Sequence, residues 1–165
     1  MQNIRAAEPG DATAICDIYN HYVDNTNISF EEIAVTSAEM AQRIIGVTEN
    51  FPWLVIEVDG VISGYAYATK WRARSAYRFS VEVSVYLSPL MIGKGCGSQL
   101  YECLLESLEP FGVHVIIAGI ALPNEPSVKL HEKMGFRKVA HFEKVGYKNK
   151  QWIDVAYWQK TLNNF

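Results

Sequence analysis

The pattern of apolar and polar residues changes its period once in the middle of the chain, and the change falls on three closely spaced glycines. Between residues 79 and 87 apolar and polar residues alternate, which predicts a strand with one apolar face. After Gly97 the apolar residues recur at helical spacing, with Leu100, Leu104 and Leu108 in one stripe. The pattern therefore predicts a strand, a glycine-rich loop and a helix in succession.

Other segments of the chain show periodic patterns bounded by turn and capping signals. Asp11, Thr36 and Asn124 each precede a helical pattern that they can cap. Asp59-Gly60 between two apolar runs is a strong hairpin signal. The predicted strands cover residues 3–7, 53–58, 61–69, 79–87, 113–120, 137–143 and 152–159, with a loop at 145–151 and a loose tail at 160–165.

The predicted elements follow the order β, α, α, β-β-β, α, β, α, β-β. The apolar run at residues 113–120 has no polar face, which is typical of a strand covered on both sides. No internal repeat or shift in composition divides the chain. The order therefore predicts a single α/β (α+β) domain over residues 1–165, with a mixed sheet and helices on both faces.

Composition narrows the class of protein. With 165 residues, 49% of them apolar and 20% charged, the chain fits one soluble globular domain. A net charge of -3 gives no broad basic field, so we expect no nucleic-acid partner. The three cysteines lack CxxC spacing, which argues against a disulfide framework and a zinc site. No apolar run reaches the roughly 20 residues of a membrane span, and no signal-peptide pattern begins the chain, so we expect a cytoplasmic protein without a membrane partner.

The glycines of the central loop, Gly93, Gly95 and Gly97, alternate with Lys94 and Cys96. Unpaired N–H groups and the dipole at a helix N-terminus attract anions, and glycine lets a phosphate approach the backbone. The loop is not a Walker A loop, because no Lys-Ser/Thr follows its last glycine, and its spacing differs from the dinucleotide fingerprint. These residues therefore predict a phosphate site without identifying the phosphate.

The loop resembles the acyl-CoA loop of the GNAT N-acetyltransferase superfamily, whose pattern is Arg/Gln-x-x-Gly-x-Gly/Ala. Gly95 and Gly97 take the glycine positions, whereas Ile92 stands where the family usually has Arg or Gln. This departure removes one side-chain contact to the pyrophosphate of CoA. We expect binding to survive on the backbone amides.

A second stretch gives a more specific likeness. Residues 124–136, NEPSVKLHEKMGF, resemble the fourth-helix signature of GNAT enzymes, Asn-x-x-Ser/Ala-x-x-Leu-Tyr/His-x-x-x-Gly-Phe. With EVDG, KWRARSAY, VEVSVY and QWIDVAYWQ, it makes nearly the whole chain similar to the phosphinothricin and methionine sulfoximine N-acetyltransferases. The resemblance implies the GNAT acyl-CoA N-acyltransferase fold, a mixed, twisted sheet of about seven strands splayed between strands 4 and 5. It also implies a homodimer that transfers acetyl from acetyl-CoA, without a metal, to the α-amine of a small amino acid analogue.

The same matching implies roles for individual residues. Glu82 falls on the family's proposed general base and His131 on its second proposed catalytic residue. The acetyl-CoA contacts fall on Val85, Tyr86, Leu87, Gly93, Lys94, Gly95, Cys96, Gly97, Ser98 and Asn124. The substrate pocket falls on Phe30, Arg72, Arg74, Tyr77, Ser84 and Tyr86. Several relatives have lysine in place of Arg72 and threonine in place of Ser84, so the details of substrate choice stay open.

Acetyl transfer to an amine needs residues of these types. A free α-amine with a pKa of roughly 8 or above is mostly ammonium at neutral pH, so a base must take its proton, and desolvation could raise the pKa of Glu82 into the useful range. A backbone N–H near Val85 could stabilise the oxyanion. A histidine at position 131 can give a proton to the departing thiolate. Arg72 and Arg74 can bind a carboxylate or phosphinate with forked hydrogen bonds.

Each candidate also has a plainer interpretation. Glu82 can face water or pair with an arginine, a lone helical histidine such as His131 more often packs than reacts, and Phe30 can be a core residue. The basic segment 70–78 can be an ordinary solvated loop. For the whole protein, the alternatives are a non-catalytic acyl-CoA-binding module and a GNAT enzyme that acts on a protein or peptide amine. Binding of acetyl-CoA without turnover would indicate the binding module. An enzyme that acts on a protein or peptide amine needs an open groove for its substrate.

Overall fold

In this computed structural model, which describes residues 1–162, seven strands form one mixed sheet with helices on both faces. The strands are β1 (Gln2–Ala6), β2 (Trp53–Val58), β3 (Val61–Lys70), β4 (Ser80–Leu87), β5 (Val115–Ala121), β6 (Arg137–Lys148) and β7 (Gln151–Thr161). The helices are α1 (Ala12–Asn25), α2 (Ser37–Thr48), α3 (Cys96–Leu108) and α4 (Glu125–Lys133). The strand order is β1-β2-β3-β4-β5-β7-β6, and β4 pairs with β5 in parallel whereas the other neighbours are antiparallel. The predicted order of elements is confirmed.

Different helices cover the two faces of the sheet. On one face the leucine stripe of α3 is buried as predicted, with Leu100 and Leu104 packed in one cluster with Val83 of β4. On the other face α1 and α2 bury Ile15 and Ile44 against β2 and β3. Each fully buried aliphatic side chain contributes about 1.5–3 kcal/mol, so these two layers fix the helices on the sheet. Within residues 1–162 no helix has the length and apolar character needed to cross a bilayer.

Local signals set the helix starts and the first hairpin. The Thr36 hydroxyl accepts a hydrogen bond from the N–H of Glu39 at 3.2 Å, which caps α2. The Asn124 side chain accepts one from the N–H of Ser127 at 3.3 Å and caps α4. The turn between β2 and β3 forms at its predicted place, with positive φ at both of its residues. These elements follow from short stretches of sequence, as predicted.

Asp11 precedes α1, but the prediction that its side chain caps this helix is wrong. Its carboxylate accepts two hydrogen bonds from the Arg5 guanidinium, at 2.8 and 2.9 Å, and one from the N–H of Glu8 at 2.8 Å. The bidentate bond to Arg5 also holds the pKa of Asp11 below its usual value. A charged, forked pair is stronger than a single capping bond, so the carboxylate turns toward β1.

The C-terminal hairpin is longer than the sequence predicts. Residues 145–148, expected in a loop, continue β6, and the turn is confined to Asn149 and Lys150, with φ of 51° and 60°. Lysine rarely adopts positive φ, so the sequence gives no clear signal for this two-residue turn. The predicted tail is wrong for Lys160 and Thr161, which belong to β7, and its last residues, 163–165, lie outside the described residues.

Candidate active site

Strands β4 and β5 are hydrogen-bonded only at their beginnings. Their parallel register runs from the pair Ser80–Val115 to the pair Glu82–Ile117, and the two strands part beyond it. A cavity of about 870 Å³ opens there. Backbone N–H and C=O groups on the facing edges therefore lie along the cavity, where an extended ligand can complete their hydrogen bonds. The predicted splay between strands 4 and 5 is confirmed.

The glycine-rich loop lies along this cavity. Gly93 and Gly95 have φ of 78° and 84°, which glycine adopts far more readily than other residues, and no atom lies within 4 Å of a Cβ built on either. Gly95 is the N-cap of α3, so the N–H groups of the first turn lack partners within the helix. At Gly97, a Cβ would lie 3.2 Å from Leu130 of α4. The loop is an open cradle for an anion at a helix N-terminus.

Most predicted acetyl-CoA contacts line the cavity, together with one further residue of the predicted substrate set. They are Val85, Tyr86, Leu87, Gly93, Gly95, Gly97, Ser98 and Asn124, with Ser84. Lys94 is absent from the lining, and its N–H donates to the carbonyl of Met91 at 3.3 Å. The side chain of Cys96 is fully buried in the core beneath α3, so only the backbone of this residue can reach a ligand.

Sequence reasoning missed two lysines of α4, Lys129 and Lys133, which line the cavity. The ammonium of Lys133 donates to the Ser98 hydroxyl at 3.1 Å, beside the N-terminus of α3, and Lys129 pairs with Glu125 at 2.8 Å. Ile92, at the family's Arg/Gln position, also lines the cavity but brings no charge. Lys133 therefore supplies positive charge near the loop from a different element. Its only sequence signal is the four-residue spacing from Lys129, which places both on one helix face.

Glu82 is the last residue of β4 that pairs with β5. Its side chain is partly buried, and burial raises its pKa above the usual carboxyl value while the charge of Arg72 opposes the rise. The carboxylate lies beside the point where the strands part but does not itself line the main cavity, which begins with Val83. A carboxylate with a raised pKa next to a cavity is a candidate general base.

The remaining predicted substrate residues do not form a closed pocket. Arg72 and Arg74 are exposed, and the Arg72 guanidinium stacks on Trp71 at 4.2 Å from the ring centroid. Tyr77 and Phe30 are 43% and 42% exposed. Of the basic loop, Arg72 is the cation whose charge acts on Glu82. These four residues therefore lie on an open surface, and their role in binding a substrate stays a prediction.

Tyr157 of β7 is a third residue that sequence reasoning missed. Its ring covers Gly119 of β5, where a Cβ would lie 2.9 Å from Cε1 of the ring. It also contacts Trp71 edge-on, with 5.6 Å between centroids. Burial raises the pKa of Tyr157, and the negative charge of Glu82 adds to the rise. Tyr157 thus extends the surface around Glu82 from a strand that is distant in sequence.

His131 lines the cavity but is only 3% exposed. Nδ1 lies 2.7 Å from the carbonyl of Ser127, which can only accept, so Nδ1 carries the proton. Nε2 then accepts a hydrogen bond from the hydroxyl of Tyr101 at 2.6 Å. Burial lowers the pKa of His131, which favours this neutral form. Both ring nitrogens are hydrogen-bonded inside the protein, as the packing interpretation expects, and the catalytic role of His131 stays a prediction.

Comparison with known sequences places the chain in a family. Residues 4–157 match the acetyltransferase (GNAT) domain. The chain is 42% identical over 159 residues to the phosphinothricin N-acetyltransferase of Streptomyces viridochromogenes, covering 96% of this chain and 87% of that protein. It is 36% identical over 165 residues to the L-methionine sulfoximine/L-methionine sulfone acetyltransferase of Salmonella typhimurium, covering 97% of this chain and 94% of that protein.

Solved structures agree with the sequence matches. An acetyltransferase from Salmonella typhimurium, determined with acetyl-CoA, superposes with a TM-score of 0.95 at 34% identity, over 99% of this chain and 95% of that one. A ribosomal-protein-alanine N-acetyltransferase from Brucella melitensis superposes with a TM-score of 0.94 at 35% identity, over 97% and 99%. The chain therefore belongs to the GNAT acetyltransferase family. The predicted family, fold and enzyme class, an N-acetyltransferase with acetyl-CoA as donor, are confirmed.

Proposed function

We propose that this protein transfers the acetyl group of acetyl-CoA to the α-amine of a small amino acid analogue of the phosphinothricin or methionine sulfoximine type. The observation that carries the proposal is the junction where β4 and β5 part, because it opens into the cavity beside the glycine loop and has Glu82 at its inner end. The substrate class is taken from the names of the two relatives, which align over nearly the whole chain.

The residues around the cavity fit the donor. N–H groups of residues 93–98 other than that of Lys94, which donates to Met91, would hold the pyrophosphate, with Lys133 as a nearby positive charge. The edge of β4 from Val85 to Leu87, which has no β5 partner, would pair with the pantetheine arm. Asn124 lines the same cavity. Open space above Gly93 and Gly95 supports this assignment, since a side chain at either position would occupy the cradle.

The acceptor would approach the sheet face that bears Glu82. Arg72 and Arg74 would bind its acid group, and the other contacts would come from Phe30, Tyr77, Ser84 and Tyr86. Glu82 takes one proton from the ammonium group, and the nitrogen then attacks the thioester carbonyl. As the C–S bond breaks, the nitrogen loses its second proton, which balances the proton taken up by the CoA thiolate, so that the products are the amide and the free thiol. The backbone N–H of Val85 would stabilise the oxyanion. The raised pKa of Glu82 supports its role as the base.

His131 stays in the proposal as the second catalytic residue, which would serve the departing thiolate. Nε2 has no proton of its own while it accepts from Tyr101, and the Nδ1 proton is held by the Ser127 carbonyl. The Tyr101 hydroxyl is fully buried and does not line the cavity, so donation to sulfur would require one of the two hydrogen bonds of His131 to break. This condition makes the role of His131 separable from that of Glu82 by experiment.

A spectrophotometric assay of free thiol tests the proposal. Wild type should release CoA from acetyl-CoA with phosphinothricin, methionine sulfoximine or methionine sulfone. Glu82→Gln should lower kcat/KM by about 100-fold or more, because a positioned general base contributes roughly 10²–10⁴. Glu143→Gln, an exposed carboxylate on β6, is the matched control and should keep wild-type activity. Tight acetyl-CoA binding without turnover of any amino acid or analogue would instead indicate a non-catalytic binding module.

A second candidate acceptor is a protein or peptide amine. Phe30 and Tyr77 are both about 40% exposed, so neither closes the acceptor side. The relative from Brucella melitensis is named for acetylating a ribosomal protein alanine. A peptide that begins with alanine belongs in the same thiol assay. A higher kcat/KM for this peptide than for the amino acid analogues would favour the second candidate.

The homodimer is also a proposal. β6 is the last strand of the sheet, and its outer edge and the hairpin with β7 expose Phe142, Val145, Tyr147 and Trp152. The same hairpin has both acidic and basic side chains, so a second copy could match it in charge. Light scattering should give a dimer for wild type and a smaller mass for Val145→Lys, and a wild-type monomer would contradict the proposal.

The single domain, cytoplasmic location and absence of nucleic-acid and membrane partners stay predictions.

A further inference from the structure

The segment of residues 26–31, which we call the wall segment, is tied to the hairpin of β6 and β7. It follows α1 and contributes Ile28 to the lining of the main cavity. It also contains Phe30, which the proposed function places at the acceptor. The Asn27 side chain donates to Gln151 at 3.1 Å and accepts from Asn149 at 2.8 Å, and both partners lie at the hairpin turn. The wall segment is therefore held by residues more than 100 positions away.

Lys148 makes the most buried of these links. Its side chain, on β6, is buried at 3% exposure, and its ammonium donates to the carbonyls of Val23 and Ser29, both at 2.7 Å. A buried ammonium is unfavourable unless it is hydrogen-bonded, so both carbonyls are needed to hold it there. Val23 lies in α1 and Ser29 in the wall segment. One cation thus joins the hairpin, α1 and the wall segment.

Gly146 of β6 sets the position of Phe30. A Cβ at Gly146 would lie 2.4 Å from Cε2 and 2.5 Å from Cζ of the Phe30 ring, closer than real contacts allow. The ring therefore rests directly on the backbone of β6. The other side of the wall segment is held independently, because Tyr19 contacts the Ser29 hydroxyl at 2.8 Å and Arg43 pairs with Glu31. Loss of the hairpin contacts should displace the segment without unfolding it.

We propose that Lys148 is a positioning residue of the acceptor site, which acts through the Ser29 carbonyl to keep Ile28 and Phe30 beside the bound substrates. This inference rests on the proposed acetyltransferase function. Lys148 itself contacts no reacting atom. Misplacing a wall of the site lowers the occupancy of productive acceptor geometry. Ile28 lines the donor cavity, but the glycine loop and α3, which would hold the pyrophosphate, make no hydrogen bond to Lys148, so acetyl-CoA binding should depend on this lysine less than acceptor binding does.

The test compares Lys148→Met with Lys150→Met, which removes the same charge from an exposed position of the same hairpin. We expect Lys148→Met to raise the acceptor KM about tenfold and the acetyl-CoA KM less than about threefold, while Lys150→Met matches wild type. Amide hydrogen exchange should increase in residues 26–31 of Lys148→Met but not in α3. Equal kinetics for the two variants would overturn the inference. So would a loss of activity that only follows the loss of folded protein.

If Lys148→Met folds poorly, Gly146→Ala tests by a different contact whether the hairpin positions Phe30 of the wall segment. The added methyl should displace the Phe30 ring and raise the acceptor KM. In Gly146→Ala/Phe30→Ala the ring is gone, so the double variant should match Phe30→Ala. Additive effects of the two substitutions would overturn the role of this contact.

The two proposals fail in different ways. Wild type without turnover rejects the proposed function, and hydrogen exchange of residues 26–31 in Lys148→Met still tests whether the wall segment is held by this lysine. Wild-type turnover with unchanged Lys148→Met kinetics rejects the positioning role alone.

Discussion

Replacing Tyr101 by Phe removes one hydroxyl from the core and tests the state of His131. The hydroxyl lies 2.6 Å from Nε2 of His131, and the two side chains are 0% and 3% exposed. The other ring nitrogen donates to Ser127, so Nε2 depends on the hydroxyl for its partner. A buried polar atom that loses its partner costs about 1–3 kcal/mol. We therefore expect Tyr101→Phe to lower the free energy of unfolding by this amount.

Thermal and urea unfolding measure the effect. For a chain of this size, 1 kcal/mol shifts the Tm by about 2–4 °C, so Tyr101→Phe should melt about 2–12 °C below wild type. The pKa of His131 is lowered in the folded state, so stability is lost as pH falls through the ordinary histidine value, and pH 8 is the proper condition for comparison. Tyr101→Phe/His131→Leu removes both partners and should recover part of the loss. Unchanged stability of Tyr101→Phe would refute the hydrogen bond.

The same variants separate catalysis from packing at His131. If this histidine serves the leaving thiolate, His131→Leu should lower kcat more than it lowers the folded fraction. If folded His131→Leu keeps kcat within about threefold of wild type, a catalytic role is excluded, since general acid–base catalysis contributes roughly 10²–10⁴. Initial rates at saturating substrate, corrected for folded protein by circular dichroism, decide between the two.

Three further predictions follow from the donor and acceptor sides. Arg72→Met removes the charge that lowers the pKa of Glu82, so the acidic limb of the kcat/KM profile should move to higher pH; an unmoved limb would exclude Glu82 as the titrating base. Lys133→Met should raise the KM for acetyl-CoA about fivefold, as one contact worth about 1 kcal/mol is lost, and an unchanged KM would remove this lysine from the site. Gly95→Ala forces alanine to a φ of 84°, so it should weaken acetyl-CoA binding and cost about 1–2 kcal/mol of stability, whereas Gly46→Ala in α2 should do neither.

Several features encoded by neighbouring residues were predictable, although the Asp11 cap was not, because Arg5 takes its carboxylate. The glycine loop, the caps at Thr36 and Asn124, and the leucine stripe of α3 each depend on residues within one or two turns of chain. Their geometry follows from conformational preferences and periodicity, so the structure reproduces them. The splay of β4 from β5 was predicted from the family resemblance alone, because no local pattern in the sequence marks where two parallel strands stop pairing.

Features built across the sheet were not predictable. Lys133 meets Ser98 from another helix, and Tyr157 reaches Gly119 through the β5–β7 register. Lys148 lies in a segment predicted to be a loop, where a lysine is expected to be exposed. In the structure β6 continues through it and buries its ammonium against the carbonyls of Val23 and Ser29. Such placements depend on strand register and turn length, and a one-residue change in the turn would reverse which side chains face the core.

The crystal structure of this protein with acetyl-CoA bound tests the central claim most directly. We predict that the pyrophosphate accepts hydrogen bonds from N–H groups of residues 93–98, that the pantetheine arm follows β4 from Val85 to Leu87, and that the thioester lies on the side of Glu82. A pyrophosphate held elsewhere, or a Glu82 carboxylate directed away from the thioester, would contradict both the donor site and the proposed base.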